Sequence, residues 1–246
     1  LSLETDEDGT MDIQKSRKWM KKNMGISASY VVFYIVTVGS FIPWLWLMSI
    51  DAKWYSTMYS WYTFGSTFVS GIALITLFVI YFKNQGQLEF VTKEHIQDLG
   101  KYMFAFSIFW TYLWFAQFML QWYANIPEET IYWKMRLDGP YEGIFYLNLV
   151  LNFVAPILIF MKRATKRNYF IVTFMCVVII FGHWIDFYQM VMPGTVKFHP
   201  HLSWYELGIP LGFVGIIMWG VNRFATKVSM TARNNPFIKE SIIHFV

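Results

Sequence analysis

Apolar positions in this chain do not alternate with polar ones; they run on in blocks. Six stretches, at about 27–49, 62–82, 102–124, 143–162, 168–191 and 207–224, carry almost no charge, and short polar segments separate them. A helix needs ~20 such residues to cross the hydrocarbon core of a bilayer. The period-two pattern of barrel strands is missing, and an open strand cannot satisfy its backbone in lipid. The pattern therefore predicts an all-α, polytopic bundle of six transmembrane helices. Residues 1–26 are predicted as a linker that becomes a membrane-surface helix. Its first half is acidic (Glu4, Asp6, Glu7, Asp8, Asp12) and its second basic (Lys15, Arg17, Lys18, Lys21, Lys22). Residues 225–246 are predicted as a tail.

Charge sharpens this picture. Only 15% of residues are charged, against about 25% in soluble domains, so much of the surface faces something other than water. The 20 Lys and Arg residues are not gathered on one stripe, which argues against nucleic acid. All but Lys53, Lys134, Arg136 and Lys197 lie in the N-terminal segment, the loops at 83–101 and 162–167, and the tail with the adjoining Arg223. By the positive-inside rule, this asymmetry puts both ends of the chain in the cytoplasm. The opposite loops are rich in rings (Trp54, Tyr55, Tyr59, Trp61, Tyr62, Trp122, Tyr123, Tyr132, Trp133, Trp204, Tyr205) and read as a belt at headgroup level. Pro43, Pro156 and Pro210 are expected to kink their spans. The small-residue pairs Ser66/Ser70 and Gly208/Gly212 are expected at close helix contacts.

The candidate chemistry lies in the few polar residues within the spans. His183 and Asp186 are three apart on the fifth span, hence on one helix face. Gln117 and Gln121 on the third span, and Asn148 and Asn152 on the fourth, are four apart. Glu142 opens the fourth span, and Tyr188 follows Asp186. All fall in the outer half of the membrane. A carboxylate beside a histidine orients the ring and suits it to accept and pass protons. This predicts His183, Asp186 and Glu142 as proton-transfer groups, with Gln117, Gln121, Asn148, Asn152 and Tyr188 as polar lining. The plainer alternative is polar glue between helices. Cys176 is the one cysteine and reads as an apolar filler. His199-Pro200-His201 lacks further ligands for a metal, and no metal site is predicted.

The stretch Phe115-Ala116-Gln117-Phe118-Met119-Leu120-Gln121-Trp122-Tyr123-Ala124-Asn125-Ile126-Pro127-Glu128-Glu129-Thr130 resembles a signature of a bacterial family. So does Gly182-His183-Trp184-Ile185-Asp186, followed by Met192-Pro193-Gly194. The family is that of the NrfD-like (polysulfide-reductase-type) membrane subunits of alternative complex III, and the likeness is closest to its second such subunit. The resemblance implies about ten helices in two four-helix bundles plus outer helices. The six spans here would be the last six, and the chain the C-terminal part of a longer protein. It implies a place in the bacterial inner membrane within a quinol:cytochrome c oxidoreductase. Partners would be a multihaem cytochrome c, an iron–sulfur protein, a second NrfD-like subunit, lipid and, in a larger assembly, cytochrome oxidase. The chain itself would bind no cofactor, with quinone or quinol as the one possible ligand. Haem c and iron–sulfur clusters would sit in partner subunits.

Three functions follow from this reading. The first is a cofactor-free subunit that supports quinol oxidation or proton transfer on the outer side. The second is an anchor for soluble partners, docked through Glu128 and Glu129 in the 125–141 loop. The third is a stand-alone transporter, which internal repeats or broken helices would favour; no repeat is visible within the six spans.

Overall fold

A computed structural model describes residues 13–197, 203–227, 240 and 242–244. The acidic half of the N-terminal segment, His199, His201 and most of the tail lie outside the described residues. Among these residues there are helices and no strands, and six helices are long and apolar enough to cross a membrane.

Helix α1 (Ile13–Val36) runs without a break across the expected linker boundary at residue 26 and continues to Ile50 through two π-helical stretches, Thr37–Phe41 and Pro43–Leu47. Pro43 lacks an N–H and its ring crowds the preceding turn; widening to π turns absorbs both. α2 is Met58–Asn84 and α3 is Lys93–Ala124. α3 begins well before the expected span, capped by Thr92 and His95 in a reciprocal capping box. It ends where Asn125 takes the left-handed conformation (φ 48°, ψ 39°).

The loop that follows is itself largely helical. α4 (Pro127–Leu137) has proline at its start, Glu128 and Glu129 in its first turn, and Lys134 and Arg136 in its last. Each of these suits the helix dipole or the unpaired first N–H groups. The fourth span is α5 (Glu142–Leu149), a π stretch at Val150–Val154, and α6 (Ala155–Phe160), with Pro156 just past the π turn. The short α7 (Arg163–Lys166) leads into α8 (Tyr169–Thr195), and α9 is Trp204–Ala225. The kinks expected at Pro43 and Pro156 thus appear as π turns. α9 carries Pro210 in unbroken α-helix.

α2, α3, α5–α6 and α8 pack as a four-helix bundle. At one end, where the 85–92 and 161–168 connections lie, the core is apolar. Val69, Ala73, Ile96, Met103, Phe160, Val172, Met175, Cys176 and Ile179 are all fully buried there. This will be called the basic end, for its Lys and Arg. At the other, aromatic end, Trp54, Tyr59, Tyr62, Trp110, Trp114, Tyr132, Trp133 and Phe145 form a second core. Five rings expected in the belt are therefore buried: Trp54, Tyr59, Tyr62, Tyr132 and Trp133. The reason is α4, which folds back over the bundle and carries Tyr132 and Trp133 inward. Tyr55, Trp61, Trp122, Tyr123, Trp204 and Tyr205 remain exposed, as a belt requires. α9 buries no residue at all. Gly208 and Gly212 meet nothing within 4 Å, so that small-residue pair makes no helix contact here. On α2, Gly65 does, lying against Phe109 and the Trp110 backbone.

Candidate functional site

Asp186 is wholly buried near the aromatic end of the bundle. Its carboxylate takes four hydrogen bonds from three other helices. Tyr62 Oη and Asn148 Nδ2 (2.9 Å) donate to Oδ1; Ser66 Oγ (3.1 Å) and Trp110 Nε1 (2.9 Å) donate to Oδ2. Two donors per oxygen is close to the full capacity of a carboxylate, which only accepts. A charge can be buried at tolerable cost only when it is satisfied in this way.

Each donor arrives by helix geometry. Tyr62 and Ser66 are one turn apart on α2, so both face α8. Asn148 sits in α5, and Asn152, one turn on in the π stretch, donates to Asn148 Oδ1 at 2.5 Å. Asn148 also reaches Gln189 Oε1 at 3.2 Å. The close approach of Asn152 depends on Gly182. A Cβ there would fall inside contact distance of Asn152 Oδ1 and lie 3.0 Å from Leu151 Cβ. Gly182→Ala is therefore expected to destabilise the protein by about 1–3 kcal/mol through overpacking, read as a lowered thermal midpoint in detergent.

His183 is buried beside this carboxylate. Its Nδ1 is 2.9 Å from Ser66 Oγ and 3.8 Å from Asp186 Oδ2. Ser66 has one proton and gives it to Asp186. Its oxygen is then left to accept from His183, which places the ring proton on Nδ1. In the neutral ring, Nε2 is the basic nitrogen. It is buried and has no hydrogen-bond partner among the described residues. The ring stands edge-on to Trp110, with centroids 5.5 Å apart.

Arg136 was counted among the loop charges, yet it is 2% exposed. Its Nε donates to the Gln189 carbonyl (3.2 Å), Nη2 to that of Met190 (3.4 Å) and Nη1 to that of Tyr132 (2.7 Å). Pro193 explains the first bond. It has no N–H for the carbonyl four residues back, so Gln189 needs another donor. The guanidinium also lies 3.4 Å over the Tyr132 ring, and Tyr132 stacks on Trp54 at 3.7 Å. A cation is thus held at the aromatic end of the bundle, lining the same small cavity as Asp186.

The remaining expected residues divide. Gln117 is buried on that cavity, donating to the Leu113 carbonyl at 3.2 Å, and its Oε1 is unpartnered. Gln121 is one turn further out and only partly buried. Tyr188 is buried but packs on Trp184 (centroids 6.0 Å), on a different face of α8 from Asp186. Glu142 is exposed in the first turn of α5 and makes none of the contacts to Asp186. Glu128 is exposed, and Glu129 accepts from Tyr55 Oη. That bond and the adjacent carboxylate hold the Tyr55 phenol above its usual range.

Sequence reasoning missed Trp110 and Arg136, and it gave Tyr62 and Ser66 other roles, in the belt and at a close helix contact. The signal for Arg136 was the facing pair of an arginine on a short amphipathic helix and a proline near the end of a span.

Towards the basic end the buried polar groups thin to hydroxyls, such as Ser107 and Thr76. From Trp110 to Gln97, α3 advances thirteen residues, or ~20 Å, through the apolar core. Beyond it, Arg163 donates to Gln97 (3.2 Å), Arg167 pairs with Glu94, and Lys166 donates to the Phe160 carbonyl (2.8 Å). Among the described residues, no cluster of three His, Cys, Asp or Glu is placed to hold a metal ion.

Compared with models of known protein families and with curated proteins, the chain matches none of them.

Proposed function

We propose that this chain is a membrane subunit of a quinol:cytochrome c oxidoreductase of the alternative complex III type, and that Asp186 and His183 pass protons in it. In this reading the six spans are the last six of a ten-helix NrfD-like protein of the bacterial inner membrane, and α2, α3, α5–α6 and α8 are its second bundle. The Lys and Arg asymmetry supports placing the aromatic end outside.

The observation that carries the proposal is a buried carboxylate joined through Ser66 to a histidine whose Nε2 is free. Ionisable groups within a bilayer are costly and are retained for a task. Quinol oxidation releases two electrons and two protons. The electrons would go to iron–sulfur clusters and c-type haems in partner subunits, while His183 and Asp186 handle protons on the outer side. The cavity beside Asp186, at about 20 Å³, has room for one water and not for a quinone ring. That favours proton transfer over direct quinone binding for this cluster. The layer beneath it, ~20 Å with no buried Asp, Glu, His, Lys or Arg among the described residues, favours exchange with one side only.

The four filled acceptor directions on Asp186 also suit a second reading, a polar knot in an anchor subunit. Native purification in mild detergent tests the first. Multihaem cytochrome c and an iron–sulfur protein in the same particle, with quinol-dependent turnover, are expected. A colourless chain purified alone would overturn the respiratory assignment, and full turnover of an assembled Asp186→Asn variant would favour the anchor.

A further inference from the structure

Four residues that line one cavity each carry a buried side-chain atom with no hydrogen-bond partner among the described residues: Trp54 Nε1, Trp133 Nε1, Gln117 Oε1 and Gln189 Nε2. All four residues are more than nine-tenths buried. They come from four different parts of the fold: the 51–57 connection, α4, α3 and α8. An unpaired buried donor or acceptor costs about 1–3 kcal/mol, so four at one place call for a common partner. The cavity they line, with Tyr62 and Arg136, measures about 20 Å³. A water needs about 10–15 Å³ on this measure and two to four polar partners.

We propose that this cavity is a binding site for one ordered water molecule. A water accepts two hydrogen bonds and donates two. The three donor groups compete for its two lone pairs, and Gln117 Oε1 takes one of its protons. The other has an acceptor in the Tyr62 hydroxyl oxygen, whose own proton goes to Asp186. Water, Tyr62 and Asp186 then form a continuous donor chain. The Trp54–Tyr132–Arg136 stack borders the site.

Hydroxyl-radical footprinting of the intact protein in water labelled with oxygen-18 tests it. Radicals made from a trapped water label the side chains beside it even where bulk solvent is excluded. Trp133 and Met190 line the cavity and are 7% and 5% exposed; Met103 and Met175 are fully buried in the apolar core and serve as dry references. The expected result is heavy-isotope labelling of Trp133 and Met190 well above Met103 and Met175. Trp54→Phe with Gln117→Leu, which removes one donor and the acceptor, should bring the labelling down to the level of the references. Labelling of Trp133 and Met190 no greater than that of Met103 and Met175 in the unaltered protein would overturn the proposal, whether or not the variant folds.

Discussion

Replacing Asp186 by Asn is expected to cost about 2–4 kcal/mol of stability and, in the proposed role, to lower quinol-dependent turnover of the assembled complex by about 100-fold or more. The two effects have separate causes. Asn keeps the shape but presents an NH2 where one carboxylate oxygen stood. Whichever way the amide turns, two of the four donors (Tyr62 and Asn148, or Ser66 and Trp110) then face a donor. Two buried donors lose their acceptor, and the helices they belong to lose a shared anchor. In the proposed role the loss of turnover comes from the proton chemistry, since an amide cannot take and return a proton. Tyr62→Phe separates the two contributions. It removes one donor with little change of volume and leaves the carboxylate, so it should cost about 1 kcal/mol and slow turnover less than Asp186→Asn. Chemical unfolding in detergent, set beside turnover of the same preparations, reads both. An Asp186→Asn protein as stable and as active as the parent would refute the assigned role.

Arg136→Met is the second large expected effect, a loss of about 2–4 kcal/mol from charge-assisted hydrogen bonds and one orphaned carbonyl. Methionine fills much of the volume and covers Tyr132, so the change isolates the guanidinium. Its removal leaves the Gln189 carbonyl without a donor, because Pro193 offers none. It also leaves the Asp186 carboxylate without a cation on its cavity. Arg136→Lys should recover only part of the loss. A single ammonium cannot reach the carbonyls of Tyr132, Gln189 and Met190 from one planar fork. The double variant Arg136→Met, Pro193→Ala restores an N–H for Gln189 and should regain about 1 kcal/mol. Thermal midpoints of the four proteins in the same detergent decide this. Equal midpoints for Arg136→Met and the parent would mean that the guanidinium bears no structural load.

Much of this was legible in the sequence, for a simple reason. In runs that are otherwise apolar, a histidine, a carboxylate and paired amides stand out, and spacings of three and four place each set on one helix face. His183, Asp186, Asn148 and Asn152 do converge. Ser66, Tyr62 and Trp110 were hidden because hydroxyls and indoles are ordinary in spans. Only the packing of α2 and α3 against α8 shows that they donate to one carboxylate. Arg136 was hidden by its address. It lies in a polar connection that reads as solvent-facing, and the folding back of α4 buries it. Glu142 had the right chemistry at the wrong phase, exposed in the first turn of its helix. The six spans themselves follow from length and apolarity, whereas the π turns before Pro156 and around Pro43 answer to backbone geometry that no hydrophobic pattern encodes.

In the proposed role, Asp186 changes its proton occupancy or hydrogen bonding during quinol oxidation. The direct measurement is the infrared difference spectrum of the assembled complex between its oxidised and quinol-reduced states. A carboxyl band is expected that shifts in heavy water, moves in Tyr62→Phe and is absent in Asp186→Asn. A spectrum unchanged by either substitution would contradict it and leave the cluster as a structural knot between four helices.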